Sequence, residues 1–519
     1  MKRKYSIICL SLLLVSFAFT QEPKREILEL TLRDSILRAL EGNLDIKVQA
    51  FNPEISGLSI SQAKEVFLPK LFLNYQNQNS NIVGSWWLEG TNYSQDQTSY
   101  QFYMTDKIIT GGDFSLRYYN TTTDSTRKFN TINPWYNNRV WLSFNQPLLK
   151  NFGPNINRYD IKRAQNQVDI SILDLNTTIN EKVFEVERAY WNLVKAHENL
   201  KVRQLALEQS NQQLKNTREA VRIGTKSAID LLSAETEVVN YEGQVLSAKT
   251  QLETYEDQLK ALLNLPPDGT DSLRSIVPLD LPTLEKPTFN FEEALEVSLA
   301  RNPKIVRIER ELENSNLTIR YQRNQLLPQL DLNFNLSYYG QGGVRFLYEN
   351  DNALSGVIVG QDETTRWDAF KEILNGKYPD LSIQLQLTIP LESIFSRAGL
   401  AKAKLEEERS LVEKERQEKA VYYELLEIFK ILRNSEEEMT SATRYREMME
   451  KKVEVEEQRY RLGLVQNSEW LFQHQRSLAD AKSREIQVII QYKVAVSQLE
   501  KAMGISLEKK NLTFGDYEF

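Results

Sequence analysis

The sequence predicts an α+β membrane protein built as a tandem duplication, and three observations support this prediction. A short apolar segment follows a basic N-terminus, several stretches alternate between apolar and polar residues, and two uninterrupted segments exceed the length of globular helices. The composition is polar, with 41% hydrophobic and 26% charged residues and a mean hydropathy of −0.48. Such a composition is compatible with transmembrane β-strands, in which only every second residue faces lipid.

The N-terminus has the three parts of a secretory signal peptide. Residues 2–4 are basic, residues 7–19 are mainly apolar, and residues 18–20 offer a cleavage site before Gln21. The apolar part is short for a membrane span, which favours cleavage over a retained anchor. The only cysteine, Cys9, lies inside this segment, so the cleaved chain would contain no disulfide and no cysteine ligand.

The two halves of the chain repeat one another. Residues 32–36 align with residues 291–295, and the same offset pairs Asn43 with Asn302 and Leu68-Pro69 with Leu327-Pro328. A register kept through helix, proline and strand is typical of a duplication. The predicted segments are a signal peptide (1–20), a first repeat (21–265), a proline-rich linker (266–288), a second repeat (289–505) and a C-terminal tail (506–519).

Each repeat is predicted to begin with two helices that end at the Leu-Pro dipeptide, because proline cannot continue a helix. Residues 330–338 and 381–389 then alternate strictly between apolar and polar side chains, which predicts strands with one apolar face. The predicted ranges are about 31–41, 44–67, 290–301 and 303–327 for the helices, and about 71–147 and 330–390 for the strand regions.

The material between the strands is expected to lie at their outer end. Residues 98–104 and 114–120 flank a Thr-Gly-Gly turn, and residues 340–376 are rich in glycine, so both regions are interpreted as surface loops or strand extensions. Two locations remain open for four tryptophans in the strand region of the first repeat, an interfacial girdle or surface-loop packing; they are Trp86, Trp87, Trp135 and Trp141.

A long helical hairpin completes each repeat. Residues 155–223 and 400–462 contain neither glycine nor proline, and each would span on the order of 100 Å at ~1.5 Å per residue. Apolar residues recur there at spacings of three and four, as in coiled coils. With return helices after Gly224 and Gly463, the hairpins are predicted over 155–263 and 397–503. A soluble coiled coil would explain the helices, but it would not explain the strands or the signal peptide.

Catalytic motifs are missing from the sequence. The two histidines, His197 and His474, lie inside predicted helices without metal-ligand spacing, and there is no phosphate-binding loop, nucleophile elbow or paired-cysteine zinc motif. The net charge of −7 argues against a nucleic-acid partner. We therefore expect neither an enzyme nor a cofactor-binding protein.

Two local motifs give the chain a specific resemblance. Residues 146–153, Gln-Pro-Leu-Leu-Lys-Asn-Phe-Gly, resemble the junction between strand and helix in outer-membrane efflux proteins of the TolC family. The glycine turns at residues 222–232 and 460–464 are similar to the periplasmic helix tips of that family. The resemblance covers nearly the whole chain after the signal peptide, including the duplicated order of elements.

The resemblance implies a homotrimer in the outer membrane. Each subunit would give four strands to a 12-stranded β-barrel in contact with outer-membrane lipid, and long coiled-coil helices to a periplasmic α-barrel. Such a channel is the passive exit duct of a tripartite efflux or type I secretion machine, whose other parts are a periplasmic adaptor (membrane fusion) protein and an inner-membrane pump. Its cargo would be small molecules or proteins, between which the sequence does not decide.

The same resemblance assigns roles to the helix tips. A latch would join Asp230 to Tyr460, Glu469 would line the closed pore, and Phe472 stands where a second pore acid is expected and could form an apolar constriction. Val465 replaces a basic residue of the family pattern, and Lys226 is a candidate substitute. The adaptor would contact Ile223, Gly224, Thr225, Leu462, Gly463 and Leu464.

Ordinary helix capping and packing is the alternative role for the latch and pore residues, and the tip glycines could serve only the turns. For the whole chain, the competing hypothesis is a secreted periplasmic coiled-coil protein without channel activity.

Overall fold

A computed structural model describes residues 27–84, 92–128, 130–265, 274–280, 290–390, 393–462 and 469–512. The predicted signal peptide lies outside these residues. The chain forms two compact units, each drawing on both halves of the sequence. The helical unit comprises the described residues within Met1–Lys47, Thr178–Ser298 and Val421–Phe519, and the sheet unit comprises those within Val48–Thr177 and Leu299–Ala420.

The helices and strands follow one another along the chain in an order that repeats after residue 290. In chain order they are β1 (Ile27–Leu30), α1 (Leu32–Gly42), α2 (Leu44–Lys64), β2 (Lys70–Val83), β3 (Asn92–Lys107), β4 (Asp113–Ser125), β5 (Ile132–Pro147), α3 (Pro154–Asn157), α4 (Tyr159–Arg222), α5 (Ala228–Leu262), β6 (Ser275–Pro278), α6 (Phe291–Arg301), α7 (Pro303–Gln325), β7 (Gln329–Tyr348), β8 (Ile358–Thr364), α8 (Arg366–Leu374), β9 (Tyr378–Thr388), α9 (Ser393–Arg461) and α10 (Glu469–Met503).

The sheet unit is built on one antiparallel sheet. Its described strands run in the order β2-β3-β4-β5-β7, and both β8 and β9 pair with the far edge of β7. The register divides the side chains between two faces, as the alternating pattern predicts. One cross-strand row on the apolar face contains Leu73, Phe102, Tyr118, Val140, Tyr338 and Pro379. A row on the opposite face contains Lys70, Thr105, Ser115, Ser143, Asn335 and Ser382.

The number of strands differs from the prediction of four per subunit. In the described residues the first repeat alone supplies four strands, and the second supplies β7, β8 and β9. Residues 98–104 and 114–120 are therefore central parts of β3 and β4, and not loops at the outer end. The turn between them packs against the start of the helices, since Gly153 N donates to the Thr110 carbonyl at 2.9 Å. Sequence pattern missed these strands because polar and aromatic residues fill both faces.

Helix α8 interrupts what would otherwise be one long strand. Residues 329–339 of β7 pair with β9, and residues 343–348 pair with β8. Between these segments the Gln341 amide donates to the Glu372 carboxylate of α8 at 3.0 Å, which replaces the missing ladder bond. Helix α8 lies on the apolar face, where Phe370 packs edge-on against Tyr118 at 5.8 Å. The predicted loop region 340–376 thus contains strand extensions and a packed helix.

The polar face of the sheet carries two arginines beside aromatic rings. Arg139 lies 3.4 Å from the centroid of Trp141 and 4.0 Å from that of Tyr339, and it pairs with Asp380 at 3.5 Å. Arg117 lies over Tyr103 at 4.8 Å. Trp141 is therefore not part of an aromatic girdle on the apolar face, and Trp86 and Trp87 lie outside the described residues.

Ion pairs and stacked rings hold α7 against the neighbouring long helices of the sheet unit. Arg307 pairs with Asp174 of α4 at 2.9 Å, and Tyr321 stacks on Tyr159 with centroids 4.6 Å apart. On the other side, Glu309 pairs with Lys414 of α9 at 2.7 Å. Helix α7 thus connects the two long helices of this unit.

The helical unit packs its helices around a small parallel sheet. Strand β6, inside the predicted linker, pairs with β1, and Tyr190 OH lies 2.8 Å from Asp280 Oδ2 beside them. Asn43 of this unit accepts an amide proton two residues ahead at the start of its helix, and Asn302 of the sheet unit, its equivalent in the predicted duplication, does the same. Large fully buried side chains form the core; they include Leu30, Ile36, Ile179, Leu193, Leu259 and Leu425.

The four helices of the long hairpins have 64, 35, 69 and 35 residues, close to the predicted ranges. In the part of the chain that the structure describes, none of the helices combines the length and apolar character needed to cross a membrane. The predicted C-terminal tail is partly packed, because Ser506, Leu507 and Leu512 are buried.

Candidate functional site at the helix tips

The first tip joins α4 to α5 through a turn that two sets of local hydrogen bonds stabilise. Gly224 has φ +79°, a conformation that favours glycine, and Thr225 N donates to the Ala220 carbonyl at 2.9 Å. Ser227 then caps α5 with Asp230: Ser227 Oγ lies 2.6 Å from Asp230 Oδ2, and Asp230 N returns a bond to Ser227 Oγ at 3.4 Å. The turn therefore aims the side chain of Lys226 in a defined direction.

Lys226 connects the first tip to the end of α9. Its ammonium group donates a hydrogen bond to the phenol oxygen of Tyr460, and Nζ lies 4.0 Å from the ring centroid. A cation that both hydrogen-bonds and lies near an aromatic ring is held more firmly than by either interaction alone. This contact ties the two hairpins of one chain together at their tips.

Asp230 lies close to this contact, but it bonds elsewhere. Hydrogen bonds from Ser227 are the main cause that holds the pKa of Asp230 below its ordinary value, and the charge of Lys226 acts in the same direction. Among the bonds that the structure describes for Asp230, the partner is Ser227 and not Tyr460. In the described structure Tyr460 therefore bonds to Lys226, with Asp230 nearby, and the Asp230–Tyr460 latch stays a prediction.

A polar cavity of about 1100 Å³ lies behind the Lys226–Tyr460 contact. Its walls carry several amide side chains; among them are Gln209, Gln212, Gln213, Asn216 and Gln475. Groups of three or more acidic, histidine or cysteine side chains suited to a metal ion do not occur in the described ranges. The cavity is thus suited to water and to a change in helix packing.

A family model for outer membrane efflux proteins matches residues 111–265 and 294–505. The chain belongs to the outer membrane efflux protein family. The two matched segments fall in the two predicted repeats, and they include both helical hairpins. The protein is accordingly an outer-membrane protein with its helical part in the periplasm.

Solved structures of outer-membrane channels share the fold. VceC from Vibrio cholerae is 13% identical, with a TM-score of 0.62, over 91% of this chain and 96% of that one. CmeC from Campylobacter jejuni is 16% identical, with a TM-score of 0.60, over 92% and 86%. The open state of MtrE from Neisseria gonorrhoeae is 16% identical, with a TM-score of 0.59, over 92% and 89%. Comparison with curated protein sequences gives no match.

The predicted pore residues of this efflux protein have different environments. Phe472 is 3% exposed and packs inside the single subunit. Its role as an apolar constriction stays a prediction. Helix α10 begins at Glu469. The structure does not describe the side chain of Glu469, and Gly463 and Leu464 lie outside the described residues. The predicted role of Glu469 therefore stays a prediction.

Two predicted adaptor-contact residues expose large apolar side chains at the turns. Ile223 is 65% exposed and Leu462 is 74% exposed. Gly224 and Thr225, beside Ile223, are exposed too. Exposed apolar groups at the ends of two hairpins are available to a protein partner.

Charged side chains that were not among the predicted site residues join the two hairpins below the tip. Glu237 of α5 is buried and pairs with Arg476 of α10 at 3.3 Å. Arg203 of α4 donates to Gln244 at 2.9 Å and to Asp480 at 3.0 Å. The available signal was a charged residue, Glu237, on the stripe that also contains Ala234, Val238 and Tyr241.

Proposed function

We propose that three copies of this efflux protein form a channel that crosses the outer membrane and continues into the periplasm as a tunnel of helices. The observation that carries the proposal is the sheet, which has one apolar face, one polar face and free edges at β2 and β9. Backbone groups at a free edge cannot be satisfied in lipid, so copies must pair edge to edge for insertion. The apolar face would then contact lipid and the polar face would line water.

The helix tips would close the periplasmic end in the resting state. The Lys226–Tyr460 contact holds the first tip against α9 within each subunit. Realignment of the helices would separate these groups, and the polar cavity behind them could fill with water. Asp230 would favour the closed arrangement through the charge of Lys226, and Glu469 would add negative charge near the threefold axis.

Energy and cargo would come from partners. A periplasmic adaptor would dock at the tip surface that includes Ile223, Gly224, Thr225 and Leu462, extended by Gly463 and Leu464. An inner-membrane pump would supply small molecules or proteins and drive their export. The channel itself would serve as a passive exit duct.

Single-channel conductance in planar bilayers tests the gate. The variants Lys226→Met and Tyr460→Phe each remove the hydrogen bond, and we expect a several-fold rise in conductance over the wild-type protein. Lys215→Met, an exposed substitution on α4 before the tip turn, should leave conductance unchanged.

Two outcomes would contradict parts of the proposal. Equal conductance in all variants would show that this contact does not hold the gate closed. Folded, detergent-stable protein that never conducts would contradict the channel itself and favour a structural coiled-coil role.

A further inference from the structure

We propose that the pore of this protein in the membrane is an 18-stranded barrel, in which each of three copies contributes six strands and β9 of one copy pairs with β2 of the next. The inference rests on the trimeric channel proposed above, and it departs from the 12-stranded barrel that the family resemblance implies. The partner surface is thus a second copy of this chain.

The six strands form one continuous sheet without a break. A single row perpendicular to the strands passes through all six, and each step of that row is a paired position; its members are Lys70, Thr105, Ser115, Ser143, Asn335 and Ser382. Strands β3 and β4 sit in the middle of this row. A barrel with four strands per copy would have to break ladders of eleven or more paired positions that involve these strands.

The family match covers only part of the four strands of the first repeat. The family match begins at residue 111, so β2 and β3 precede it. Strand β4, whose first residue is Asp113, lies at the beginning of the match. The match therefore includes β4 and β5 of the first repeat, whereas β2 and β3 lie before it.

The two free edges are complementary in direction and in face. Every neighbouring pair in the sheet is antiparallel, so six strands alternate in direction and β9 of one copy meets β2 of another antiparallel. Leu71 and Leu73 of β2 lie on the apolar face, and so do Leu385 and Leu387 of β9. All four of these side chains are exposed in the single chain.

The shift in register across the six strands is compatible with closure of the sheet into a barrel. The row that starts at Lys70, the first residue of β2, reaches Ser382 in β9, although β9 continues six residues further to Thr388. If Thr388 stands level with Lys70 of the next copy, this shift over six strand spacings corresponds to a tilt of about 35°. Closed barrels have tilts of about 35–45°.

A wider pore follows from the larger strand number. Barrel diameter grows roughly linearly with strand number, so the pore would be about 1.5 times as wide as that of a 12-stranded barrel at equal tilt. Barrels of this size leave an open aqueous channel. Cargo would therefore be restricted at the helix tips and not in the membrane.

Electron microscopy of the detergent-purified wild-type protein tests this inference directly. We expect cross-sections of the barrel with 18 strands, six per subunit. A conducting trimer with 12 strands, in which β3 and β4 lie outside the barrel wall, would overturn the inference and leave the proposed function intact. Protein without trimers or conductance would overturn both.

Cysteine chemistry gives a second test, because the only cysteine of the chain, Cys9, lies in the predicted signal peptide. With Thr388 level with Lys70, Asn74→Cys and Gln384→Cys face each other across the joint, and oxidation should convert the double variant to covalent trimers. In liposomes, Thr105→Cys and Ser115→Cys on the polar face should react with a water-soluble maleimide, whereas Met104→Cys and Leu116→Cys should not. Equal labelling of both faces would overturn the placement of β3 and β4 in the barrel wall.

Discussion

Lys510 shows how much one residue depends on its neighbours in this protein. Its ammonium group lies 2.6 Å from the carboxylate of Glu187, which is 1% exposed, and it also contacts Glu500. Burial lowers the pKa of Lys510, but the two carboxylates outweigh burial and raise the pKa overall. Burial raises the pKa of Glu187 against the opposing effect of Lys510. The last packed residues of the chain are thus tied to α4 and α10.

Replacement of Lys510 by methionine should destabilise the helical unit by about 3 kcal/mol, because the buried Glu187 would lose its counter-charge. Denaturant unfolding of the variant measures the loss. Lys509→Met, at the exposed neighbouring position, is the matched control. The double variant Glu187→Met, Lys510→Met should recover much of the stability, and a double variant as unstable as the single one would argue against this explanation.

The acidic cap of α5 gives a pH dependence with a defined sign. Because the folded-state pKa of Asp230 lies below the ordinary value of 3.8, its ionised form stabilises the tip above that pH. This stabilisation should disappear as the pH falls through the folded-state pKa. The protection of amides 228–231, measured as the exchange rate relative to the intrinsic rate at each pH, should fall below about pH 3.8, and Ser227→Ala should show low protection already at neutral pH. Protection that does not change with pH in the wild type would contradict the role of the cap.

At the scale of single elements, α8 and β7 illustrate a close approach that requires glycine. A Cβ atom at Gly340 would collide with the carbonyl oxygen of Ala369. The Gly340→Ala variant should therefore displace α8 from the apolar face and lower stability by about 1–3 kcal/mol. Gly360→Ala in β8, where the nearest atom is 3.5 Å away, should be tolerated. Similar thermal unfolding of the two variants would show that α8 does not need this approach.

The sequence pattern predicted those helices and strands in which a single hydrophobic period dominates. The uninterrupted helices and the alternating residues of β7 and β9 lie close to their predicted ranges. The pattern did not predict strands β3 and β4, because Tyr103 and Arg117 occupy the polar face. Short polar residues at these positions would have made the alternation visible. The pattern did not predict helix α8, because its nine residues lie in a glycine-rich stretch. Elements without one dominant period are decided by packing against their neighbours.

For the whole molecule, docking of the adaptor is the test of the tip surface. Ile223→Ser and Leu462→Ser remove exposed apolar groups, and each should reduce co-purification of the protein with its adaptor by roughly tenfold, about 1.4 kcal/mol. Ile223→Leu keeps the apolar surface and should bind normally. Trimer formation must remain unchanged in all three variants, since lost trimers would explain lost binding indirectly. Normal adaptor binding by both serine variants would contradict the proposed surface.

The sequence alone determined the order of elements, the long helices and the family, because these depend on composition, spacing and local period. It also identified the tip residues, although not their partners. Tertiary structure decided that Lys226 and not Asp230 meets Tyr460, that Phe472 is buried, and that the sheet has six strands across its width. The first two depend on which residues, distant in sequence, come within a few ångströms of one another. The width of the sheet depends on consecutive strands whose residues lack one dominant period, and local pattern carries neither kind of information.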